Sequence, residues 1–329
     1  MDREQEEMQF LGLFDIYKES YKIILSWKKI FSQITLTLIL PLSFIFLIHI
    51  EVSNFLFRKI MHNTQEIIET QQGTPQYKKL SDILSSEWAT FFFFKLVYFT
   101  FLFIFSLLST SAVVYTIASI YTARDVTFNK VMSVVPKVWK RLMVTFLCTF
   151  VAFFAYNAMT VFVIFIWALT IGVHSGAIVI LVVIAILYLI GFVYLTVVWQ
   201  LASVVTVLED SCGFQAMMIS KELIKGKMGL SILIFLKLNV SFVLIQFLFK
   251  KAVMQGWGMS SVGYGILCFS LLPHLFLFGL VIQTVLYFVC KSYHHQNIDK
   301  SALSDHLEVY HGEYEPLKAK DVQLEHYNV

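Results

Sequence analysis

Apolar stretches long enough to cross a bilayer alternate with polar segments along the whole chain. They cover residues 31–50, 88–121, 142–169, 177–208, 228–249 and 264–290. Each reaches the roughly 20 residues that an α-helix needs to cross a hydrocarbon layer of about 30 Å. The pattern predicts an all-α fold, an integral membrane bundle of six transmembrane helices within 31–290. A segment 1–30 precedes it and a hydrophilic tail 291–329 follows. The second and fourth stretches exceed what a bilayer requires, so they must tilt, bend or protrude. Pro41, near the middle of the first, removes a backbone donor and predicts a kink. Residues 51–87 are polar, with a turn signal at Gln71-Gln72-Gly73-Thr74-Pro75. Here Val52, Phe55, Leu56 and Ile60, beside Arg58, Lys59 and Glu66, read as short helices lying on the membrane surface. A nearly uncharged turn at 170–176 joins the third and fourth stretches.

A second pattern recurs ahead of the first, third and fifth stretches. Phe10, Leu13, Phe14, Tyr17, Tyr21 and Ile24 share one helical face, opposite Asp15, Lys18, Glu19, Lys22 and Lys29. Phe128, Val131, Met132, Val135 and Trp139 oppose Asn129, Lys130, Lys137 and Lys140, although Pro136 must start or kink a helix there. Ala216, Met217, Ile219, Leu223 and Ile224 oppose Lys221, Glu222 and Lys225. Each segment runs through basic residues into its span. A helix with an apolar face and a cationic rim lies in the cytosolic interface, drawn to anionic lipid by about 1 kcal/mol per basic residue. The expectation is three units, each a cytosolic-side interfacial helix plus a membrane hairpin. Lys28, Lys29, Lys140, Arg141, Lys225 and Lys227 are the candidate lipid contacts. The competing reading is that basic juxtamembrane residues accompany any multi-pass protein.

Sidedness follows from the same charges. With successive loops on opposite faces, 17 of the 25 lysines and arginines fall beside 1–30, 122–141, 209–227 and the tail, against 6 on the other side. Cytosolic flanks collect positive charge, which places both termini in the cytosol of an endomembrane or plasma-membrane protein. Composition agrees, with 58% of residues hydrophobic and 14% charged. Ordinary soluble domains carry about 25% charge. A net charge of +3 gives no basis for direct nucleic-acid binding. The four cysteines are scattered without a CxxC, so neither a disulfide framework nor a zinc site is read, and no cofactor is implied.

Few residues carry candidate chemistry. Lys95 and Lys237 interrupt apolar stretches, where a charge is costly and function is the first suspicion. Lys95 is close enough to Trp88 for its stem to reach the interface. Lys237, with Asn239, Gln200 and Gln283, is the candidate set around a polar path, against the alternative that these amides bond between helices. No acidic residue joins them, which weakens a cation-coupled carrier. His294 and Asp299 match an H-x4-D spacing that arises easily by chance, and no phosphate loop or nucleophile elbow accompanies it. No enzyme is therefore expected. Tyr314 and Leu317 in Tyr314-Glu315-Pro316-Leu317 fit a tyrosine sorting motif, read as an extended strand by adaptor proteins, against a bland solvated tail.

The stretch Val198-Trp199-Gln200-Leu201-Ala202-Ser203-Val204-Val205-Thr206-Val207-Leu208-Glu209, with Ala216, Ser220-Lys221-Glu222-Leu223 and Lys225-Gly226-Lys227, carries a resemblance. It is similar to the signature of a land-plant family of uncharacterised multi-pass membrane proteins. That signature is related in pattern to the membrane region of glycerophosphodiester phosphodiesterases. Tyr21 to Pro41, Gly312-Glu313-Tyr314 and Pro316-Leu317-Lys318 resemble the same plant family, so the likeness covers nearly the whole chain. It implies no hydrolase activity, because the catalytic barrel has no counterpart here. Some members carry a label as polyadenylate-binding-protein-binding, which implies a cytosolic protein partner. Three readings follow: a non-enzymatic organiser of membrane lipids or partners at the cytosolic face; a transporter or lipid scramblase; and an adaptor that binds an RNA-associated protein through its tail.

Overall fold

The computed structural model describes residues 8–123, 126–171, 177–254 and 259–295, and these are helical almost throughout. Helix α1 is Leu13–Ser26. Helix α2 runs from Lys28 to Glu69 and contains a π-helical turn at Thr35–Ile39. Helices α3 (Pro75–Tyr121), α4 (Phe128–Ile171) and α5 (Ala177–Leu208) follow. Next come α6 (Phe214–Ile224), α7 (Met228–Leu248, continued by a π-helical turn at Phe249–Met254) and α8 (Met259–Tyr293). Six of these, α2, α3, α4, α5, α7 and α8, are long and apolar enough to cross a membrane.

Pro41 sits just beyond the π-helical turn of α2. The widened turn makes room for a residue that donates no backbone hydrogen bond, so the proline is absorbed without ending the helix. The segment 51–69, which reads as surface-lying helices in the sequence, is instead the continuation of α2. Part of its apolar surface packs inward, since Ile60 is fully buried and Phe57 meets Phe91 of α3 at 6.4 Å between ring centroids, while Phe55 and Met61 stay exposed. Polar residues pair across the same two helices, with Glu87 accepting from Asn63 at 2.7 Å and lying 3.1 Å from Lys59. The turn between them ends on Thr74, whose hydroxyl accepts from the Tyr77 N–H at 3.2 Å, with Pro75 in the first helical position.

Burial shows why the spans are overlong. From Ser109 to Tyr121 every residue of α3 is buried, while Phe92, Phe93, Leu96 and Phe99 face outward. Likewise Val197 to Leu208 supply most of the buried residues of α5, and the stretch from Ile178 to Ile190 is largely exposed. One end of the bundle is therefore a packed core, formed by the end of α3, the start of α4 (Val131, Val134, Val138, Leu142), and the ends of α5 and α8. Helix beyond bilayer length is covered there by other helices and needs no lipid.

Helices α1 and α6 pack onto this end, α1 through Ile16 and Ile23 and α6 through Ala216, Leu223 and Ile224. The threefold pattern in the sequence is realised unevenly. The first and third segments are separate helices, broken from their spans at Trp27 and at Lys225-Gly226-Lys227. The middle one is not separate, since 128–141 continues unbroken into α4 with Pro136 inside the helix. Its valines are held by the core, and that packing overrides the proline.

A polar clasp ties the helix ends together. Glu209, just past α5, accepts from the Tyr287 hydroxyl at 2.6 Å and from Lys291 at 2.8 Å, both on α8. Arg141 on α4 donates to the Glu209 carbonyl at 2.6 Å and lies 3.4 Å from Asp210. Glu209→Ala leaves the Tyr287 hydroxyl and the Lys291 ammonium only each other, 3.1 Å apart, in a setting where the carboxylate is 22% exposed. We expect a loss of about 2 kcal/mol in detergent, the range for a charge-assisted hydrogen bond reduced by partial solvation. Glu209→Gln, which keeps an acceptor, should lose less; thermal melts of the two variants check the order.

A candidate amphiphile cavity among the spans

A cavity of about 390 Å³ lies beside the packed core and is touched by all six spanning helices. Its walls are mostly apolar: Leu42 and Phe46 of α2, Phe146 of α4, Trp199 of α5, Phe242 of α7, Leu275 and Phe276 of α8. Phe146 and Trp199 meet edge to face at 5.9 Å, and Phe46 lies 5.0 Å from Phe242, so the aromatic wall is itself packed.

Set into this wall are Gln200, Asn239 and Gln283, from α5, α7 and α8, and the hydroxyls of Ser106, Ser109, Thr110, Thr145 and Ser203. Several of these groups are already occupied. Thr110 and Asn239 donate to carbonyls one turn back, Ser203 donates to the Gln200 carbonyl, and Thr145 shares a hydrogen bond with Thr206 at 2.8 Å. Ser109 is different: it is fully buried, and its hydroxyl has no hydrogen-bond partner among the described residues. Buried polar groups in native proteins are nearly always matched, so this hydroxyl is open to a water or a polar group of a ligand. Among the described residues no charged side chain lines the cavity.

The cavity is local. The lining on α3 runs from Leu102 to Thr110 and on α8 from Leu275 to Gln283, about two helical turns or 12 Å along each axis. It is a chamber at one level and does not run the length of the spans.

The structure brings together three of the four intramembrane polar residues singled out in the sequence and separates the fourth. Lys237 is exposed on the outer face of α7, with its ammonium 5.2 Å and 5.8 Å from the Phe14 and Tyr17 rings of α1. The reason is helical geometry: two positions along a helix rotate a side chain by about 200°, so Lys237 and Asn239 cannot share a face. Sequence reading overlooked Ser109 and Gly279. The repeat of Ser106, Ser109 and Thr110 at helical spacing in α3 is the signal that could have found the first.

The six candidate lipid contacts lie at the packed end, in two groups. Lys28, Lys29 and Lys140 are exposed. Arg141 belongs to the clasp, Lys225 pairs with Glu222, and Lys227 lies 5.1 Å from the Tyr293 ring. The Lys225 hydrogen bond holds the Glu222 carboxyl below its ordinary range. His294 meets the carbonyls of Leu223 and Lys225 at 3.1 Å and 2.9 Å, closing the end of α6, so its geometry is that of a helix cap. Asp299, Tyr314 and Leu317 lie outside the described residues. Elsewhere, Lys95 of α3 is 2.8 Å from His49 of α2, whose ring stacks on Tyr98 at 3.5 Å. Among the described residues no group of three histidine, cysteine or carboxylate side chains could hold a metal ion.

No curated protein and no solved structure matches the chain. Neither a plant relative nor a phosphodiesterase relation emerges from these comparisons. One family does match, over residues 1–327, described as a domain of unknown function (DUF8558). Six membrane-length helices converging on one cavity are thus the architecture of a protein that belongs to the DUF8558 family.

Proposed function

We propose that this is a non-enzymatic membrane protein that holds an amphipathic, lipid-like molecule in the chamber where its six spans converge. The carrying observation is one cavity whose lining brings the Gln200, Asn239 and Gln283 amides together with Ser109, a serine whose buried hydroxyl is unmatched. An apolar, aromatic wall with a few convergent polar groups is the usual make-up of a small-molecule site. The absence of charge in the lining favours a molecule whose buried polar part is uncharged, such as a hydroxyl, ester or amide.

The test is to purify the protein in mild detergent, extract it and identify co-purifying small molecules by mass spectrometry. The wild type should carry one enriched class of lipid-like molecule, and Gln200→Leu/Asn239→Leu/Gln283→Leu should lose it while remaining monodisperse. Identical extracts from both would refute the reading.

A second reading, contact with anionic lipid at the cytosolic face, is favoured by α1. It leaves Phe14, Tyr21 and Leu25 exposed, with Phe10 exposed just ahead of it, beside Lys18 and Lys28 at the basic end of the bundle. In this proposal α1 and α6 lie at the membrane interface and both termini are cytosolic, supported by the excess of basic residues on that side. Residence in an endomembrane or the plasma membrane, and an adaptor role for the tail, belong to the same set of proposals. Movement of the held molecule across the bilayer, as in a transporter or scramblase, requires a path that a chamber two turns deep does not supply by itself.

A further inference from the structure

The outer face of α7 carries a second feature, unrelated to the chamber's polar groups. A groove of about 390 Å³ runs between α1, α7 and α8, walled by Leu236, Val240, Leu275 and Phe278. Tyr17 packs on Phe278 at 5.5 Å, which fixes α1 as one rim. Lys237 lies in the groove, nine residues after Met228 and so about 14 Å along α7 from its start at the packed end. A lysine held against an apolar face at the end of a span is unfavourable unless something answers its charge. No carboxylate of the described residues pairs with Lys237; the Phe14 and Tyr17 rings supply only a cation–π contribution. The Tyr17 hydroxyl, at the same rim, is buried and has no hydrogen-bond partner among the described residues. An unanswered cation and an unmatched phenol therefore belong to one groove whose other walls are apolar apart from Ser241, whose hydroxyl donates to the Lys237 carbonyl at 3.0 Å.

We propose that this groove binds one anionic phospholipid from the surrounding bilayer, its phosphate-bearing head against Lys237 and Tyr17 and an acyl chain along Leu236, Val240 and Phe278. A phospholipid, not a soluble anion, suits a site that opens on the exposed face of a spanning helix. The pairing also accounts for α1: by closing one side of the groove, it makes a lipid-facing lysine into a pocketed one. Leu238 and Leu275 line both this groove and the central chamber, so the two sites share a wall.

The experiment is native mass spectrometry of the full chain released from nanodiscs of phosphatidylcholine containing a minority of phosphatidylserine. The wild type should retain one phosphatidylserine. Lys237→Gln should lower that retention about tenfold, as for loss of one charge-assisted contact, and Lys237→Arg should keep most of it. Tyr17→Phe, which keeps the ring and removes only the hydroxyl, should weaken retention to a smaller degree. Lys237 is exposed, so both lysine variants should fold, and thermal melts of each confirm it before binding is read. Equal phosphatidylserine retention by wild type and Lys237→Gln would overturn the proposal. So would indifference between phosphatidylserine and phosphatidylcholine, or displacement of the phospholipid by added oleate at equal concentration. Gln200→Leu/Asn239→Leu/Gln283→Leu should retain phosphatidylserine as the wild type does, so the groove and the chamber stand or fall separately.

Discussion

Replacing Gly226 by alanine is expected to lower the stability of the detergent-solubilised protein by about 1–2 kcal/mol. Gly226 joins α6 to α7 with φ of 85°, a left-handed conformation that disfavours any side chain. It is also crowded. A Cβ there would lie 2.3 Å from Cε1 of Tyr293 and 2.9 Å from its hydroxyl oxygen. The ring is exposed and can turn aside, at the cost of its contacts with Lys227, 5.1 Å from its centre, and with the His294 ring, 5.4 Å away. Backbone strain and the loss of these contacts therefore add. Gly229→Ala is the control, because nothing lies within 4 Å of a Cβ at that position. It should be neutral or mildly stabilising through helix propensity. Melting followed by tryptophan fluorescence separates the two; equal melting of both variants would refute the account. Gly226→Ala/Tyr293→Ala should recover part of the loss.

Filling the chamber should abolish retention of its amphipathic molecule without unfolding the protein. Gly279 of α8 lines the cavity, and a Cβ there meets only Leu238 methyl groups at 3.8 and 4.0 Å, ordinary contact distances. Gly279→Ala should therefore be tolerated. Gly279→Phe would project a ring into the space between Gln283, Asn239 and Trp199, where a ligand would otherwise sit. Co-purification of the bound molecule should fall at least about tenfold for the phenylalanine variant, a change of about 1.4 kcal/mol in binding. The alanine variant should stay within about twofold of wild type, a few tenths of a kcal/mol. Undiminished retention in a well-folded Gly279→Phe protein would place the ligand elsewhere.

How much of this was legible in the sequence depended on whether a feature is local. Six membrane-length helices were readable because hydrocarbon thickness acts on each stretch independently. The continuation of α2 through residues 51–69 was not. Its apolar periodicity requires some apolar partner, and only the fold reveals that the partner is α3. Similarly, Gln200, Asn239 and Gln283 could be picked out as costly residues in apolar runs, but their convergence depends on how α5, α7 and α8 rotate about their axes. Lys237 shows the converse limit. Proximity in sequence grouped it with Asn239, whereas the rotation of about 100° per residue assigns it to the opposite face. Ser109 carried no signal alone, because a serine in a membrane helix usually satisfies itself on the carbonyl one turn back.

The uneven packing along the bundle has a mechanical corollary. Near the basic end the helices are tightly packed on one another through the buried residues of α3, α5 and α8. In the far reaches of α4 and α5 nearly the whole circumference faces outward, and none of the most apolar window of α5 is buried. Fatty acyl chains must act there as the packing material that side chains provide at the other end. The spread between helix pairs at the loose end would then follow the lipid around it, while the packed end keeps its shape. Spin labels at Phe154 and Phe247 should move apart or together as acyl chain length changes, and a pair at Lys140 and Lys221 should hold its spacing.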